Sequence, residues 1–332
     1  MEPHHLTTSE PSASAKATAD KQDLSGVLVV DKTEGPTSHD VVTFARRALG
    51  VSRIGHTGTL DPLATGVLAL VVGRATRLAQ FLTASDKSYE ARIVFGRATD
   101  SYDASGVDTA RCDRRPSRHA LETALGRFRG VFEQTPPAYS AKNIDGERSY
   151  QLARRAARLP EAQSGHRDTE RRPAAVSVTV KRLDLMSFDG ESVTLGMTVS
   201  AGFYVRSLAH DLGEALGCGA VLAALRRTRS GEFGLERAVP LAEVLQHPRE
   251  ALAGRLVPLR ELLAEWPAVT LRSTAQRVRL QNGVEMGPGD LVAPLATLPP
   301  IVRLMTPDGD LAGLARPSKT PGFLHGWVVL GF

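Results

Sequence analysis

The chain has 332 residues, of which 42% are hydrophobic and 23% are charged, and its formal net charge is +5. The length predicts about two domains, and the composition is that of a soluble protein. Because no apolar run approaches the roughly 18 residues of a membrane span, the sequence predicts no membrane-spanning segment.

Two features indicate the cellular compartment. Residues 1–24 are rich in Ser, Thr, Ala and Pro and lack the apolar stretch of a secretory signal, so we expect a disordered tail and a cytoplasmic protein. The two cysteines, Cys112 and Cys218, are too few for a disulfide framework and have no metal-ligand spacing around them. Both are predicted to be reduced thiols.

Basic residues are concentrated in one segment. Between Lys142 and Arg182 the chain has ten Lys or Arg against five Asp or Glu, an excess equal to that of the whole chain. The middle of this segment, EAQSGHRDTERRP, has the composition of a mobile loop. A pI near 9.4 favours a polyanionic partner only weakly, because solvated basic faces are common in proteins that bind none.

The N-terminal half alternates predicted strands and helices. GVLVV at 26–30 and VLALVV at 67–72 are predicted buried strands. Apolar residues at helical spacing predict a helix from Ser38 that stops at Gly50, and RATRLAQFL at 74–82 is predicted to be helical. In SYEARIVFG at 88–96 alternate residues are apolar, which places Tyr89 at the start of a strand, on its apolar face.

The C-terminal half begins with a predicted hairpin that turns at Asp189 and Gly190, followed by an amphipathic helix over 205–216. Short helical pieces follow around 240–260. From Pro267 to Phe332 short stretches are separated by turn sequences such as QNG and PDGD. This pattern predicts a small, separate β-rich domain.

One loop has a single acid among several glycines. In GHTGTLDPLATG at 55–66 the acid is Asp61. An isolated loop aspartate most often bonds its own backbone. Pro62, however, favours an extended conformation at Asp61, which displays the side chain, and glycines allow a ligand to approach the backbone closely. The pattern indicates a loop built to admit a ligand.

Arg206, Tyr89 and His56 are further candidates. Arg206 lies in the first helical turn, where the helix dipole disfavours a cation, so either its stem covers apolar surface or it pairs with an anion. A bidentate pair would keep Asp61 ionised and aimed. An inward-facing strand tyrosine such as Tyr89 is more often core than catalyst. His56 has no second ligand at metal spacing, so no metal site is predicted.

Four long motifs resemble one family in order and approximate spacing, the bacterial tRNA pseudouridine-55 synthases of the TruB family. They are RIGHTGTLDPLATGVLALVVGRATRLAQFL, DKSYEARIVFGRATDSYDASG, QTPPAYSAKNIDGERSYQLAR and GFYVRSLAHDLGEALGCGAVLAALRR. The resemblance implies isomerisation of the uridine at position 55 in the T-loop of tRNA to pseudouridine, by base flipping, with no cofactor and no metal. It also implies the tRNA T-arm as partner, no obligate protein partner, and a monomer.

The resemblance implies residue roles as well. Asp61 matches the family's catalytic aspartate, which attacks either C6 of the base or C1′ of the ribose. Arg206 matches its arginine partner, and Tyr89 the catalytic tyrosine that stacks on the uracil and serves in proton transfer. His56 matches the histidine that fills the space left by the flipped base. The other RNA-binding residues expected from the match are Lys32, Arg77, Tyr204, Leu225, Lys142, Arg154 and Arg155.

The sequence departs from the family pattern in a few places. Arg77 stands where Lys is common, and Thr33 stands where Pro is usual, so we expect a different phosphate geometry and a looser turn. The basic segment matches a thumb-like insertion that contacts RNA. It is a few residues longer and richer in arginine than usual, which predicts a stronger salt dependence of binding.

The resemblance implies an α+β fold. We expect a central mixed, mainly antiparallel sheet of the pseudouridine-synthase type with flanking helices and the thumb insertion, followed by a small β-rich, PUA-like domain. The expected boundaries are 1–24 for the tail, 25–250 for the catalytic domain with its insertion at about 142–175, and 251–332 for the PUA-like RNA-binding domain.

Two rival functions would use the same surface. One is a tRNA-binding folding chaperone, and the other is a guide-RNA-dependent pseudouridine synthase subunit. Asp61, Tyr89 and Arg206 argue against a purely binding protein, because binding alone gives no reason for an aspartate that faces phosphates. The basic insertion and the bacterial-type motifs favour a stand-alone enzyme.

Overall fold

A computed structural model of the chain describes residues 24–139, 143–144, 147–148, 173–293, 295 and 297–331. Its α-helices are α1 (Ser38–Leu49), α2 (Ala79–Thr83), α3 (Arg118–Gly126), α4 (Val205–Leu216), α5 (Leu241–Gln246), α6 (Arg249–Ala253) and α7 (Ala275–Gln281). No helix of these described stretches has the length and apolar character needed to cross a bilayer.

The strands of the described residues fall into a large sheet, a smaller C-terminal sheet and two short hairpins. They are β1 (Gly26–Lys32), β2 (Ile54–His56), β3 (Ala64–Val72), β4 (Lys87–Phe95), β5 (Arg97–Thr99), β6 (Asp108–Arg111), β7 (Gly130–Gln134), β8 (Asn143–Ile144), β9 (Glu147–Arg148), β10 (Val176–Phe188), β11 (Ser192–Val199), β12 (Ala220–Ser230), β13 (Phe233–Gly234), β14 (Val239–Pro240), β15 (Val257–Pro258), β16 (Ala268–Thr270), β17 (Val302–Met305), β18 (Leu311–Pro317) and β19 (Leu324–Val329).

The large sheet is mixed and mainly antiparallel. Its main path runs β14-β1-β3-β12-β4-β11-β10-β7, with β2, β13 and β15 pairing onto β3, β12 and β1. Along that path only the β1–β14 and β3–β12 pairs are parallel. The α+β class and the sheet type expected from the sequence are confirmed.

The central strands β1 and β3 are buried on both faces because alternate residues enter different cores. Leu28 and Val30 of β1 belong to the core beneath α1, α3 and α4. Val27 and Val29 instead pack with residues of the C-terminal sheet such as Leu314. Side chains alternate with period two, so two covered faces require an uninterrupted apolar run. The two predicted buried strands are confirmed, and β1 extends two residues further, to Lys32.

The two long predicted helices are confirmed, and each has a defined start. At α1, Thr37 Oγ1 accepts a hydrogen bond from Asp40 N at 3.1 Å, and the Asp40 carboxylate accepts from Thr37 N at 2.9 Å. Tyr204 precedes α4 without a side-chain cap, but the buried Gln134 accepts from Tyr204 N at 2.8 Å and donates to Tyr204 O at 3.0 Å. A long-range contact therefore fixes where α4 begins.

Three further local predictions hold. β4 alternates as predicted, with Ala91, Ile93 and Phe95 buried in the core and Tyr89 packed at its margin. The hairpin of β10 and β11 turns at Asp189 and Gly190. The predicted helical stretch over 74–82 is a 3-10 turn at Gly73–Leu78 that continues into α2.

The interpretation of 55–66 as one open loop is wrong at its ends. Ile54–His56 is β2, and β3 begins at Ala64, so Gly66 lies inside a strand. Gly66 has φ of +97°, and a Cβ at this position would lie 2.2 Å from the carbonyl oxygen of Arg227 on β12. This glycine therefore admits a neighbouring strand, and the close approach that the sequence suggested is made by protein backbone.

The basic insertion leaves and re-enters the sheet at its edge. β7 and β10 are antiparallel neighbours, and the described chain leaves this edge after Tyr139 and returns at Pro173. The predicted RNA-binding residues Lys142, Arg154 and Arg155 lie outside the described residues.

The C-terminal sheet has the order β16-β17-β18-β19 and packs on the large sheet through a shared apolar cluster. β15 pairs with β1, so the large sheet includes Val257 and Pro258, beyond the boundary expected at residue 250. The division into domains and the PUA-like assignment remain predictions.

Candidate active site

A cavity of about 240 Å³ lies where the acid-bearing loop, β4, β12 and the start of α4 meet. Five of the predicted site residues line it: Asp61, Tyr89, Tyr204, Arg206 and Leu225. A second cavity, of about 990 Å³, also has Asp61 and Arg206 in its wall, together with His56. Asp61 and Arg206 therefore contribute to the walls of two cavities, one small and one large.

Arg206 holds Asp61 by both carboxylate oxygens. Its Nε lies 2.8 Å from Oδ2 and its Nη2 lies 3.3 Å from Oδ1. The same guanidinium donates to the carbonyl of Ser101 at 3.2 Å and to that of Tyr139 at 2.9 Å. The Arg206 side chain is 7% exposed, whereas 35% of the Asp61 side chain remains exposed. A buried, bidentate guanidinium orients the carboxylate while leaving it accessible from the cavity.

Asp103 is a second buried acid beside Arg206, and the sequence analysis did not assign it a role. Its Oδ2 lies 3.9 Å from Arg206 Nε. Its Oδ1 accepts hydrogen bonds from Ser101 Oγ at 2.9 Å, Ser105 N at 3.0 Å and Ser105 Oγ at 2.5 Å. The acid-x-Ser spacing is a sequence signal for such an Asx turn, but its position against Arg206 depends on the tertiary fold.

Lys32 does not lie on an RNA-facing surface, contrary to the prediction. It is fully buried, and its Nζ donates to the carbonyls of Ala64 at 2.6 Å, Thr33 at 3.0 Å and Pro62 at 3.3 Å. Burial lowers the pKa of Lys32 to about 8, and Asp61 opposes this shift. Lys32 thus holds the backbone on the C-terminal side of Asp61, because every donor of its ammonium is engaged by a carbonyl.

The other side of the Asp61 loop is held as firmly. Ser38 Oγ accepts from Leu60 N at 2.8 Å and donates to Leu60 O at 3.0 Å. Arg227, which is 1% exposed, donates from its guanidinium to three carbonyls at 2.6–3.4 Å, those of Val67, Gly58 and Thr59. The loop is therefore clamped by α1, β1 and β12, and its glycines do not make it mobile.

Lys87, at the start of β4, is a further buried cation in the smaller cavity that the sequence analysis missed. It is 7% exposed, and its Nζ donates to the carbonyls of Thr83 and Ser85, each at 2.6 Å. Burial, followed by the charge of Arg227, lowers the pKa of Lys87 to about 8, and Asp86 opposes the shift.

The remaining predicted residues differ in position. Burial lowers the pKa of His56, with smaller contributions from Arg227 and His39, and His56 Nδ1 accepts from Gly58 N at 3.4 Å. Arg77 lines neither cavity; its Nη1 donates to the carbonyl of Val329 at 2.6 Å. Arg77 therefore ties the 3-10 turn to the C-terminal sheet instead of reaching the site.

The side chains of the smaller cavity offer a carboxylate, three half-buried tyrosines and three buried cations. Within the described part of the chain, no three His, Cys, Asp or Glu side chains are grouped as metal ligands. Cys112 and Cys218 are both free thiols.

Comparisons of the sequence identify relatives over most of its length. Two family models match: TruB family pseudouridylate synthase (N terminal domain) over residues 46–205, and tRNA pseudouridylate synthase B C-terminal domain over residues 206–264. A protein of Solibacter usitatus (strain Ellin6076) described as tRNA pseudouridine synthase B is 42% identical, over 92% of this chain and 100% of its own length. Its namesake from Pseudomonas aeruginosa (strain UCBPP-PA14) is 44% identical, over 76% of this chain and 80% of its own.

Solved structures share the fold. An H/ACA RNP bound to a substrate RNA containing 2′-deoxyuridine has a chain that matches with a TM-score of 0.67 and 23% identity, covering 92% of this chain and 85% of that one. The archaeal box H/ACA sRNP Nop10–Cbf5 complex matches with a TM-score of 0.66 and 23% identity, over 93% and 87% of the two chains. At this identity the likeness extends to the fold alone.

Proposed function

The chain belongs to the TruB family of pseudouridylate synthases, and we propose that it isomerises the uridine at position 55 in the T-loop of tRNA to pseudouridine. The observation that carries the catalytic part of this proposal is the Asp61–Arg206 pair in the wall of the small cavity, with the carboxylate partly exposed. Curated relatives named tRNA pseudouridine synthase B support tRNA as the substrate.

The reaction requires the base to leave its stack. The bond from C1′ to N1 breaks, the base rotates, and a bond from C1′ to C5 forms; C5 loses its proton and N1 gains one. A duplex or a structured loop offers no room for this rotation, so the nucleotide is flipped into a pocket. The cavity of about 240 Å³ beside Tyr89, Tyr204 and Leu225 is the pocket that we assign to the base.

Asp61 is the nucleophile in this proposal. Arg206 fixes both of its oxygens, and Lys32 and Ser38 fix the backbone on either side, so little reorganisation is needed when the carboxylate attacks. Attack at C6 of the base and attack at C1′ of the ribose both remain open. In either route Asp61 must be released from the covalent adduct before the product leaves.

Tyr89 is proposed to stack on the uracil and to take part in proton transfer. Its ring packs at the margin of the core and lines the cavity, at the start of β4. Among the described residues, its hydroxyl has no hydrogen-bond partner, so it is available to a substrate. His56, in the larger cavity, is proposed to occupy the space that the flipped base leaves in the T-loop.

The basic insertion, the C-terminal sheet and the assembly state are part of the same proposal. The insertion at about 142–175, with Lys142, Arg154 and Arg155, is expected to bind the T-arm backbone. The C-terminal region is expected to act as a PUA-like RNA-binding domain. The enzyme is expected to work as a monomer in the cytoplasm, without a guide RNA or an obligate protein partner.

The experiment is incubation of the purified chain with an unmodified T-arm stem-loop RNA, followed by carbodiimide modification and primer extension. We expect a stop at the target uridine, and no stop in a control RNA that has cytidine there. Tight binding of the uridine RNA without a stop would instead favour the folding-chaperone alternative. A stop that appears only after addition of guide RNA and protein partners would favour the guided subunit.

A further inference from the structure

The small cavity has an unequal balance of charge. Among its described lining residues, Asp61 is the only acid, whereas three cations, Lys87, Arg206 and Arg227, are each less than 9% exposed. Burying an unneutralised cation costs free energy, so a fold retains such a group where it compensates a charge that is present at some stage. The cations of the cavity can therefore compensate more negative charge than the Asp61 carboxylate provides.

The three cations are not equally engaged. Arg206 is taken up by Asp61, Asp103 and two carbonyls. Arg227 directs its guanidinium to carbonyls of β3 and of the acid-bearing loop. Lys87 has three N–H donors and gives two of them to carbonyls. Among the described residues, no third acceptor lies within hydrogen-bond distance of its ammonium.

Lys87 is also held in place from several sides. Its backbone is paired with Val199 of β11 and Ser230 of β12, at the centre of the large sheet. Gly58 lies beside both cations: a Cβ at this position would lie 3.7 Å from Lys87 Cε and 3.5 Å from Arg227 Nη1, in ordinary van der Waals contact with each. A buried, fixed cation with a spare donor beside a cavity is the arrangement that stabilises charge developing in a transition state.

We propose that Lys87 is a further catalytic residue, whose ammonium faces the flipped base and stabilises the negative charge that the base acquires during isomerisation. This inference rests on the proposed function. It adds a group in the lining of the same cavity that acts on the base, whereas Asp61 is the nucleophile and Arg206 orients it.

The charge arises in both of the open routes. When C1′ is attacked, the bond from C1′ to N1 breaks and its electron pair stays on the base, delocalised over N1 and the two carbonyl oxygens. When C6 is attacked, the electrons of the C5–C6 double bond move towards C5 and the O4 carbonyl. In the first route C5 then bonds to C1′ and displaces the Asp61 carboxylate from it. In the second route the C1′–N1 bond breaks, the C1′–C5 bond forms, and the Asp61 carboxylate leaves C6 as the C5–C6 double bond re-forms. In both routes the C5 proton leaves and N1 takes up a proton. Lys87 keeps its own proton throughout.

The surroundings of Lys87 set the pH range of this effect. Its charged and titratable neighbours are Asp86 on its own segment, Arg227 on β12 and, around the cavity, Asp61, Arg206, Tyr89, Tyr139 and Tyr204. With a pKa of about 8, Lys87 is protonated at neutral pH and loses its charge above that value. The rate of the chemical step should therefore fall as the pH rises through about 8.

The test measures single-turnover release of tritium from C5 of the target uridine in a T-arm RNA, between about pH 6 and pH 10. Wild type is compared with Lys87→Met, Lys87→Arg and the exposed control Lys319→Met, and RNA affinity and thermal unfolding are measured alongside. We expect Lys87→Met to lose about 10²-fold in rate at neutral pH with RNA affinity within about threefold. The control should match wild type.

If Lys87→Met does not fold, the pH dependence of the single-turnover rate of Lys87→Arg tests the inference. Arginine stays protonated, so the part of the alkaline fall that belongs to position 87 should disappear in this variant, and any fall that remains belongs to other groups. An unchanged alkaline fall in Lys87→Arg, or a Lys87→Met rate within about threefold of wild type, would overturn the inference. Absence of tritium release from wild type would instead overturn the proposed function on which it rests.

Discussion

Arg206 and Arg227 are both buried arginines in the lining of one cavity, 6% and 1% exposed, and they have different partners. Arg206 meets two carboxylates, Asp61 and Asp103. Among the described residues, Arg227 donates to carbonyls alone, those of Val67, Gly58 and Thr59. The first arrangement fixes a group that can react, and the second fixes the path of the backbone that carries it.

The comparison shows that burial and charge do not by themselves identify a catalytic cation. The role of a buried guanidinium depends on its partner. One that pairs with a carboxylate orients that carboxylate and keeps it ionised. One that binds carbonyls gives hydrogen-bond donors to acceptors that would otherwise be buried without one. Lys32 belongs with Arg227 in this respect. Lys87 stands between the two classes, because two of its three donors bind carbonyls and no acceptor in the described part of the chain takes the third.

Arg206→Lys should have the largest effect on the reaction rate. Lysine keeps the charge but cannot hold both oxygens of Asp61 and the carbonyls of Ser101 and Tyr139 at once. We expect single-turnover pseudouridine formation to fall about 10²-fold or more, with a small change in the unfolding midpoint. A rate within about threefold of wild type would show that bidentate geometry is not needed.

Arg227→Lys is the matched change at the second arginine, and we expect it to lower the stability of the fold more than the reaction rate. Lysine has fewer N–H donors than arginine and leaves some of the buried carbonyls without a partner. We expect this to lower the free energy of unfolding, measured by urea denaturation, by about 2 kcal/mol. The rate of the folded enzyme should change less than about tenfold, well below the effect of Arg206→Lys. If the two substitutions reduce the rate equally, the distinction between a catalytic role for Arg206 and a structural role for Arg227 is wrong.

Gly66→Ala tests whether the glycines of the acid-bearing region serve packing or ligand access. The added Cβ would meet the Arg227 carbonyl at 2.2 Å, and φ is +97°, so we expect a loss of about 3 kcal/mol in unfolding free energy. Gly35→Ala is the control, since its φ of +108° imposes strain but nothing lies within 4 Å. Equal losses for both variants would show that the contact with Arg227 does not matter.

Arg154→Ala combined with Arg155→Ala should have the smallest effect, confined to binding. Each phosphate contact contributes about 0.7–0.9 to the slope of log affinity against log salt concentration, so the slope should decrease by about 1–2. Filter binding of the T-arm RNA at several salt concentrations measures it. An unchanged slope would place these arginines away from the RNA.

Part of this organisation could be predicted from the sequence. Asp61, Tyr89 and Arg206 were found because local patterns mark a displayed acid, a strand start and a helical first turn, and because long motifs resemble a family. Strands buried on both faces were also visible as unbroken apolar runs.

The rest depends on contacts between distant residues. In the strand sequence LRRTRS, nothing distinguishes Arg227 from the neighbouring basic residues. The parallel pairing of β12 with β3 shows that Arg227 is buried beneath the Asp61 loop. The family match predicts RNA binding by Lys32, yet both faces of β1 are covered and the lysine at its end is buried. The sequence likewise suggests ligand access at Gly66, because the pairing of β12 with β3 is not visible in it.

The central claim is that Asp61, oriented by Arg206, is the nucleophile. Its most direct test is the single-turnover rate of C5 tritium release by Asp61→Asn, which keeps the shape of the side chain but removes its charge, measured together with T-arm RNA affinity. We predict a loss of about 10⁴-fold or more in rate with affinity within about threefold of wild type. Release at a rate within about tenfold of wild type would contradict the assignment and require another nucleophile in the cavity.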